Sequence, residues 1–172
     1  MRAYVFDDIP GDQRLPHLTD RTISEDELRA LGVLYWRIEN EGEVDEIARS
    51  RNYKNRDVIN VSKTGLGELY ESKIKGFFEE HMHEDEEIRY ILDGSGYFDV
   101  RRPDEAWIRV AMDKGDLLVL PAGIYHRFTL DTGDYIKAMR LFKDEPKWIP
   151  HNRGPETDAN EFRQSYVKTI TA

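Results

Sequence analysis

His81-Met82-His83-Glu84-Asp85-Glu86-Glu87-Ile88-Arg89-Tyr90-Ile91-Leu92-Asp93-Gly94 is the stretch whose reading decides this fold. Its second half, Ile88 to Leu92, is a β-branched and aromatic run of the kind that lies in a strand. Its first half sets two imidazoles one residue apart, and on a strand such residues share a face because side chains alternate with a period of two. Glu87 returns to that face, and a neighbouring strand carrying His126 brings a third imidazole opposite. Three of the chain's five histidines thus fall in one pattern. Neutral nitrogens and one anionic oxygen converging on a point predict a divalent-metal site of borderline hardness. Four donors do not close an octahedron. Two positions remain for substrate or water, which gives the site a catalytic character.

Working outward, Asp93-Gly94-Ser95-Gly96 separates Ile88–Leu92 from Tyr97-Phe98-Asp99-Val100 and predicts a β-hairpin. Trp107–Met112, Asp116–Leu120, Tyr125–Leu130 and Tyr135–Leu141 are expected as further strands, punctuated by Gly115, Pro121-Ala122-Gly123 and Thr132-Gly133-Asp134. Short strands joined by tight turns predict a mainly β architecture, an antiparallel sandwich or barrel. Upstream, residues 1–78 read as mixed α/β. A strand at Ala3–Phe6 is followed by a helix opened by the capping box Ser24-Glu25-Asp26-Glu27, with Leu28 and Leu31 beginning its apolar stripe. A second helix is expected over Val44–Arg51. A third follows from the helical spacing of Leu66, Leu69, Tyr70, Ile74 and Phe77. Residues 143–172, with Pro146, Pro150 and Pro155, read as a tail packing on the barrel, with a terminal strand around Tyr166–Ile170.

At 172 residues the chain is expected to be one domain, large enough to bury roughly 70% of its unfolded surface. Its 39% hydrophobic and 34% charged residues are those of a soluble globular protein. No apolar run approaches the ~20 residues that cross a bilayer, and the first residues lack a secretory apolar segment, so no integral membrane association is expected. The absence of cysteine excludes disulfides, a thiolate nucleophile and a zinc ribbon. A net charge of −9 argues against nucleic acid or an anionic membrane as partner. An anionic substrate must therefore be drawn in by local cations. These features lead to the expectation of a monomer in the cytoplasm, with the nucleus also open to a chain this small.

Parity names the residues around the metal. Arg89 and Ile91 share the face of Glu87, and Phe128 and Leu130 that of His126. Ile136, Ala138 and Arg140 share a third face. Two guanidiniums inside a barrel are costly unless they meet carboxylates or a bound anion. Against a catalytic role for Arg89 stands a structural one, pairing with Glu86, Glu87 or Asp99 to orient a ligand. Phe77 and Phe128 are expected either to wall a substrate pocket or to be plain core. His17 and His151 lie outside the pattern and are expected to be exposed or structural. Binding needs neutral imidazoles, so metal affinity is expected to fall as pH passes their ordinary pKa near ~6.5.

The spacings His81-x-His83-x3-Glu87-x6-Gly94 and Gly115-x5-Pro121-x-Gly123-x2-His126 match the two signature motifs of the cupin superfamily. Two positions depart from that pattern. Gly76 precedes His81 by four intervening residues rather than five, and Leu130 stands where asparagine often ends the second motif. Neither is a ligand position. The run from His81 to Val100, the block Leu120-Pro121-Ala122-Gly123-Ile124-Tyr125-His126-Arg127-Phe128, and Lys137-Ala138-Met139-Arg140-Leu141-Phe142 resemble the acireductone dioxygenases of methionine salvage. Leu34-Tyr35-Trp36 and Asn55-Arg56-Asp57 extend the likeness upstream. The resemblance implies a cupin-type antiparallel β-barrel (double-stranded β-helix or jelly roll) with a few short, mostly N-terminal helices. It implies one metal held by His81, His83, Glu87 and His126, iron(II) or nickel(II), with two adjacent positions open. It further implies that Arg89 and Arg140 stabilise an anionic enediol, 1,2-dihydroxy-3-keto-5-methylthiopentene, that reacts with O2, while Phe77 and Phe128 line its pocket. With iron(II) the expected products are 4-methylthio-2-oxobutanoate and formate. With nickel(II) they are 3-methylthiopropanoate, formate and carbon monoxide. Fold and ligands alone do not fix chemistry, so another cupin oxygenase, a metal-dependent isomerase and a non-catalytic cupin binding protein stand as alternatives.

Overall fold

The computed structural model describes residues 2–143 and 149–171. In chain order the first elements are β1 (Arg2–Val5), α1 (Glu25–Ala30), β2 (Leu34–Arg37), α2 (Glu41–Ser50), β3 (Asn55–Val61), α3 (Lys63–Leu66) and α4 (Tyr70–Phe78). The strands β4 (His81–Met82), β5 (Glu87–Arg101), β6 (Trp107–Asp113), β7 (Asp116–Leu120), β8 (His126–Leu130) and β9 (Ile136–Phe142) follow. β10 (His151–Asn152), α5 (Pro155–Asp158) and α6 (Glu161–Thr171) complete the described elements.

Two antiparallel sheets share β5. Its first half pairs with β7 through Glu87↔Leu120 and with β9 through Arg89↔Arg140, and β2 and β3 complete that sheet beyond them. Its second half pairs with β6 and β8, with β1, β4 and β10 on the flanks. The expected hairpin at Asp93–Gly96 is therefore not a turn. It is the place where one continuous strand leaves one sheet for the other, across a register shift between Ile91 and Asp93. Glycine serves a bulge as readily as a turn. Gly94 has φ +75°, and a Cβ there would press into the Tyr135 carbonyl oxygen; one at Gly96 would meet the Phe128 ring. The local signal was conformational freedom and close approach, and tertiary pairing decided its use.

Alternation along β5 sorts its side chains. Ile88 and Tyr90 join Val44 and Ala48 of α2 in one buried cluster. Ile91 faces the other way, into a larger cluster that gathers Ala3, Leu28, Val61, Val110, Leu120 and Tyr166 from N-terminal region, sheets and tail alike. Fully burying one such aliphatic side chain contributes about 1.5–3 kcal/mol, so this face assignment is strongly held.

The helices depart from the sequence reading at their ends. α1 has the expected capping box: Ser24 and Glu27 bond each other's backbone N–H. α2 begins at Glu41, capped by Asn40, rather than at Val44. The third helix breaks at Gly67, where φ is +57°, into α3, a 3-10 turn over Gly67–Leu69, and α4. The expected terminal strand is a helix, α6: Phe162, Tyr166 and Ile170 recur at a helical interval, and the Tyr166 hydroxyl donates to the Leu31 carbonyl at 2.7 Å. Pro146, part of the tail reading, lies outside the described residues. β2 and β3 come from the N-terminal region, where only helices were expected after the first strand. Both are sheet flanks whose partly exposed faces blur the alternation. No helix among the described residues is long and apolar enough to cross a membrane.

Candidate metal centre

The centre lies where the two sheets meet. His81 and His126 sit directly opposite each other on β4 and β8. His83 lies just past the end of β4. The chain bends at Glu84-Asp85, so Glu87 opens β5 from within the other sheet. Counting along one strand expected Glu87 beside the imidazoles, and it does stand 2.6 Å from His126, but it arrives from the other sheet rather than along the same strand. The imidazole centroids are 5.0 Å apart for His81 and His83, 4.5 Å for His81 and His126, and 5.3 Å for His83 and His126. One ligand atom from each falls within 4.8 Å of the others.

Each ring is turned by a backbone carbonyl. His126 Nδ1 bonds the Ile124 oxygen at 3.0 Å, His83 Nδ1 that of Ile149 at 3.2 Å, and His81 Nδ1 that of Glu79. A carbonyl only accepts, so Nδ1 carries the hydrogen and Nε2 keeps its lone pair, the state a metal requires. His126 Nε2 and Glu87 Oε2 then stand 2.6 Å apart, buried, and neither makes a hydrogen bond. Two lone pairs at that distance repel unless a proton or a metal cation lies between them, and buried polar atoms without partners are rare. The donor set fits a divalent ion.

Electrostatics favours the ligating forms. Burial, reinforced by the His126 charge, lowers the His81 pKa from 6.5 to about 4, and burial likewise lowers that of His83. Protons therefore compete for these nitrogens at a lower pH than the ordinary imidazole value suggests. Burial pushes the Glu87 carboxyl up, but Arg89 and then His126 outweigh it and hold the group well below 4.5.

A cavity of about 500 Å³ opens on the three imidazoles and Glu87, with Arg89, Arg140, Phe77, Phe128 and Pro150 in its wall and Lys73 at its margin. It continues into an apolar recess of about 80 Å³ among Ile59, Val61, Ile91, Ile136 and Ala138. Phe77 and Phe128 meet edge to face at 6.0 Å between the two spaces. Arg89 Nη2 donates to Glu87 Oε1 at 2.8 Å, one of the structural pairings foreseen for it, while Asp99 lies elsewhere with Arg109 and Arg127. Arg140 makes a bidentate pair with Asp57, at 2.8 and 2.7 Å. Asp57 entered the sequence reading only as part of the resemblance, with no role assigned, and the recess residues Ile59 and Val61 went unnoticed. The signal was present, an alternation of Asp57, Ile59 and Val61 along β3, but the segment was not read as a strand. His17 is a buried structural residue bound to Asp7 at 2.7 Å, and His151 lies half-buried in β10, 3.6 Å from Glu84.

A family model described as the ARD/ARD' family matches residues 2–150. Acireductone dioxygenase 1 of Coprinopsis cinerea is 63% identical over 174 residues, 99% of this chain and 98% of that protein. An acireductone dioxygenase of Phaeosphaeria nodorum is 61% identical over 168 residues, 98% of this chain and 96% of that one. Among solved structures, the acireductone dioxygenase from Bacillus anthracis with cadmium ion in its active center superposes with a TM-score of 0.70. It is 24% identical and covers 87% of this chain and 96% of its own. That likeness shows the fold, the cupin-type barrel expected above. With a family model spanning most of its length and full-length relatives this similar, the chain belongs to the ARD/ARD' family.

Proposed function

We propose that this protein is an acireductone dioxygenase whose single divalent metal, iron(II) or nickel(II), is held by His81, His83, Glu87 and His126. The observation that carries the reading is the facing pair of bare donor atoms, Glu87 Oε2 and His126 Nε2, at the head of a cavity flanked by two guanidiniums. When bound, the metal supplies Lewis-acid stabilisation of the deprotonated enediol. The remaining work belongs to the chain.

Arg89 and Arg140 stand directly opposite each other across β5 and β9 and place two positive charges beside the donors. They stabilise the enediolate negative charge in a site whose low polarity strengthens the interaction. Asp57 holds the Arg140 fork in one orientation, so little reorganisation accompanies the reaction. The recess among Ile59, Val61, Ile136 and Ala138 accepts the methylthio tail, which orients the substrate at the donors. Phe77 and Phe128 narrow the passage and keep bulk water from the reacting carbons.

Elemental analysis of protein purified without added metal, joined to product analysis after loading with iron(II) or nickel(II), tests the reading. One metal per chain is expected, with oxygen consumed, formate released under both metals and carbon monoxide only under nickel. Equal metal content in the wild type and in His126→Ala, or rearrangement of the enediol without oxygen, would overturn it.

A further inference from the structure

We propose that Arg153 is a positioning residue for the metal centre. By locking the short strand β10 to Glu80 and Glu105, it holds the Ile149 carbonyl against His83 Nδ1. This inference rests on the metal-site reading above.

Of the three carbonyls that orient the imidazoles, those of Glu79 and Ile124 each lie two residues from their histidine, on the strand lead-in itself. The Ile149 carbonyl is different: it arrives from 66 residues away. The Ile149 side chain is 73% exposed, so its own burial does not keep that carbonyl in place. Among the described residues, the segment after it is tied to β4 by two register pairs, Met82↔His151 and His81↔Asn152. A two-residue strand on a sheet margin is a weak tether, of the kind that opens locally long before the fold does.

Arg153 supplies the rest. Its backbone N–H donates to the Glu80 carbonyl at 3.0 Å. Its Nη1 reaches Glu80 Oε2 at 2.9 Å and Glu105 Oε2 at 2.7 Å, and its Nη2 reaches Glu105 Oε1 at 2.9 Å. Glu80 is itself gripped by Arg101, at 2.8 and 3.1 Å. The guanidinium is thus fixed between two carboxylates, one of them adjacent to His81 in the chain. A fork held on both sides loses little freedom when it pulls the strand in. If the latch opens, the Ile149 carbonyl drifts, His83 loses the partner that fixes its ring and tautomer, and metal affinity falls.

A purely structural staple would change stability without touching the imidazole, and that separates the two roles. The probe is cobalt(II) alone, titrated against a competing chelator into metal-free wild type, Arg153→Ala, Arg153→Lys and Glu105→Gln. The paramagnetically shifted Nδ1–H signals of the ligating imidazoles are followed by NMR. Arg153→Ala is expected to bind cobalt about tenfold more weakly, and one of the three imidazole N–H signals to vanish into solvent exchange. Arg153→Lys should recover part of both effects, and Glu105→Gln, at a more exposed side chain, should show a weaker version. Wild-type affinity with all three signals in Arg153→Ala would overturn the inference, as would weaker binding with every N–H signal unchanged. A wild type that takes up no cobalt would overturn the metal reading itself.

Discussion

Two pairs of arginines sit in this molecule, one pair behind the sheet that carries His81 and His126 and one beside the candidate metal centre, and their surroundings differ in kind. Arg109 and Arg127 share Asp99, the first through two bonds of 2.8 and 2.9 Å and the second through one of 2.8 Å. Arg109 is fully buried, donates also to the Gln13 and Leu15 carbonyls, and stacks on Phe6 and Tyr97; Arg127 lies against Phe78 and Trp107. Arg89 and Arg140 also have carboxylates, Glu87 and Asp57, but both face the cavity, and the partner of Arg89 is itself a donor aimed at the metal position. Burial lowers the Arg89 pKa, with Glu87 opposing and Arg140 adding to the shift. The lesson concerns where the charge is spent. Arg109 directs its donors at protein and maintains the fold. Arg89 and Arg140 keep their charge beside an opening, where an anion can use it.

The comparison breaks or sharpens at five points, the largest effect first. His126→Ala should leave less than stoichiometric metal by elemental analysis and abolish turnover, because no other donor replaces the lost nitrogen. Arg109→Met strips Asp99 of two of its three guanidinium bonds, leaving Arg127 alone, and takes the donor from the Gln13 and Leu15 carbonyls; it should cost about 3–5 kcal/mol in urea unfolding, and a shift below ~1 kcal/mol would dissolve the distinction between the pairs. Arg140→Ala should lower kcat by about 10²–10³ while metal content stays, and equal loss of both would give Arg140 a structural role instead. The metal-free chain should lose stability as pH falls from 6.5 toward 4. His81 is about 4 when folded and 6.5 when exposed, so the unfolded chain takes up the proton first. The loss approaches about 3 kcal/mol by pH 4 and is reinforced below 4.5, where Glu87 of the unfolded chain takes up a proton that the folded site resists; a flat urea midpoint would show that the imidazoles are not buried neutral. Asp57→Asn keeps a hydrogen bond to Arg140 but removes its charge, and should cost about tenfold in kcat/KM.

The gathering of His81, His83 and His126 was legible in the sequence because it is a spacing problem, and spacing is written in the chain. His81-x-His83 and the Pro121-Ala122-Gly123-Ile124-Tyr125-His126 run carry it. The route by which Glu87 arrives was not legible: the bend at Glu84-Asp85 moves it to the second sheet, although an in-phase position on the same strand looked sufficient. Asp93-Gly94-Ser95-Gly96 advertised glycine freedom and could not say whether a turn or a strand-switching bulge would use it. The pairing of Asp57 with Arg140 was missed because β3 is half exposed, which weakens the period-two pattern. α6 was misread as a strand, since Tyr166–Ile170 is β-prone in isolation and only the longer interval from Phe162 is helical.

By itself, the sequence determined residue chemistry and local rhythm: three imidazoles, a carboxylate, two inward arginines, and strands whose alternation points them at one another. Tertiary structure decided the rest, namely that β5 crosses between sheets, that Asp57 meets Arg140, and that a tail carbonyl meets His83. Those contacts join residues distant in the chain, whose geometry depends on how the sheets twist and pack, and no local periodicity encodes that distance.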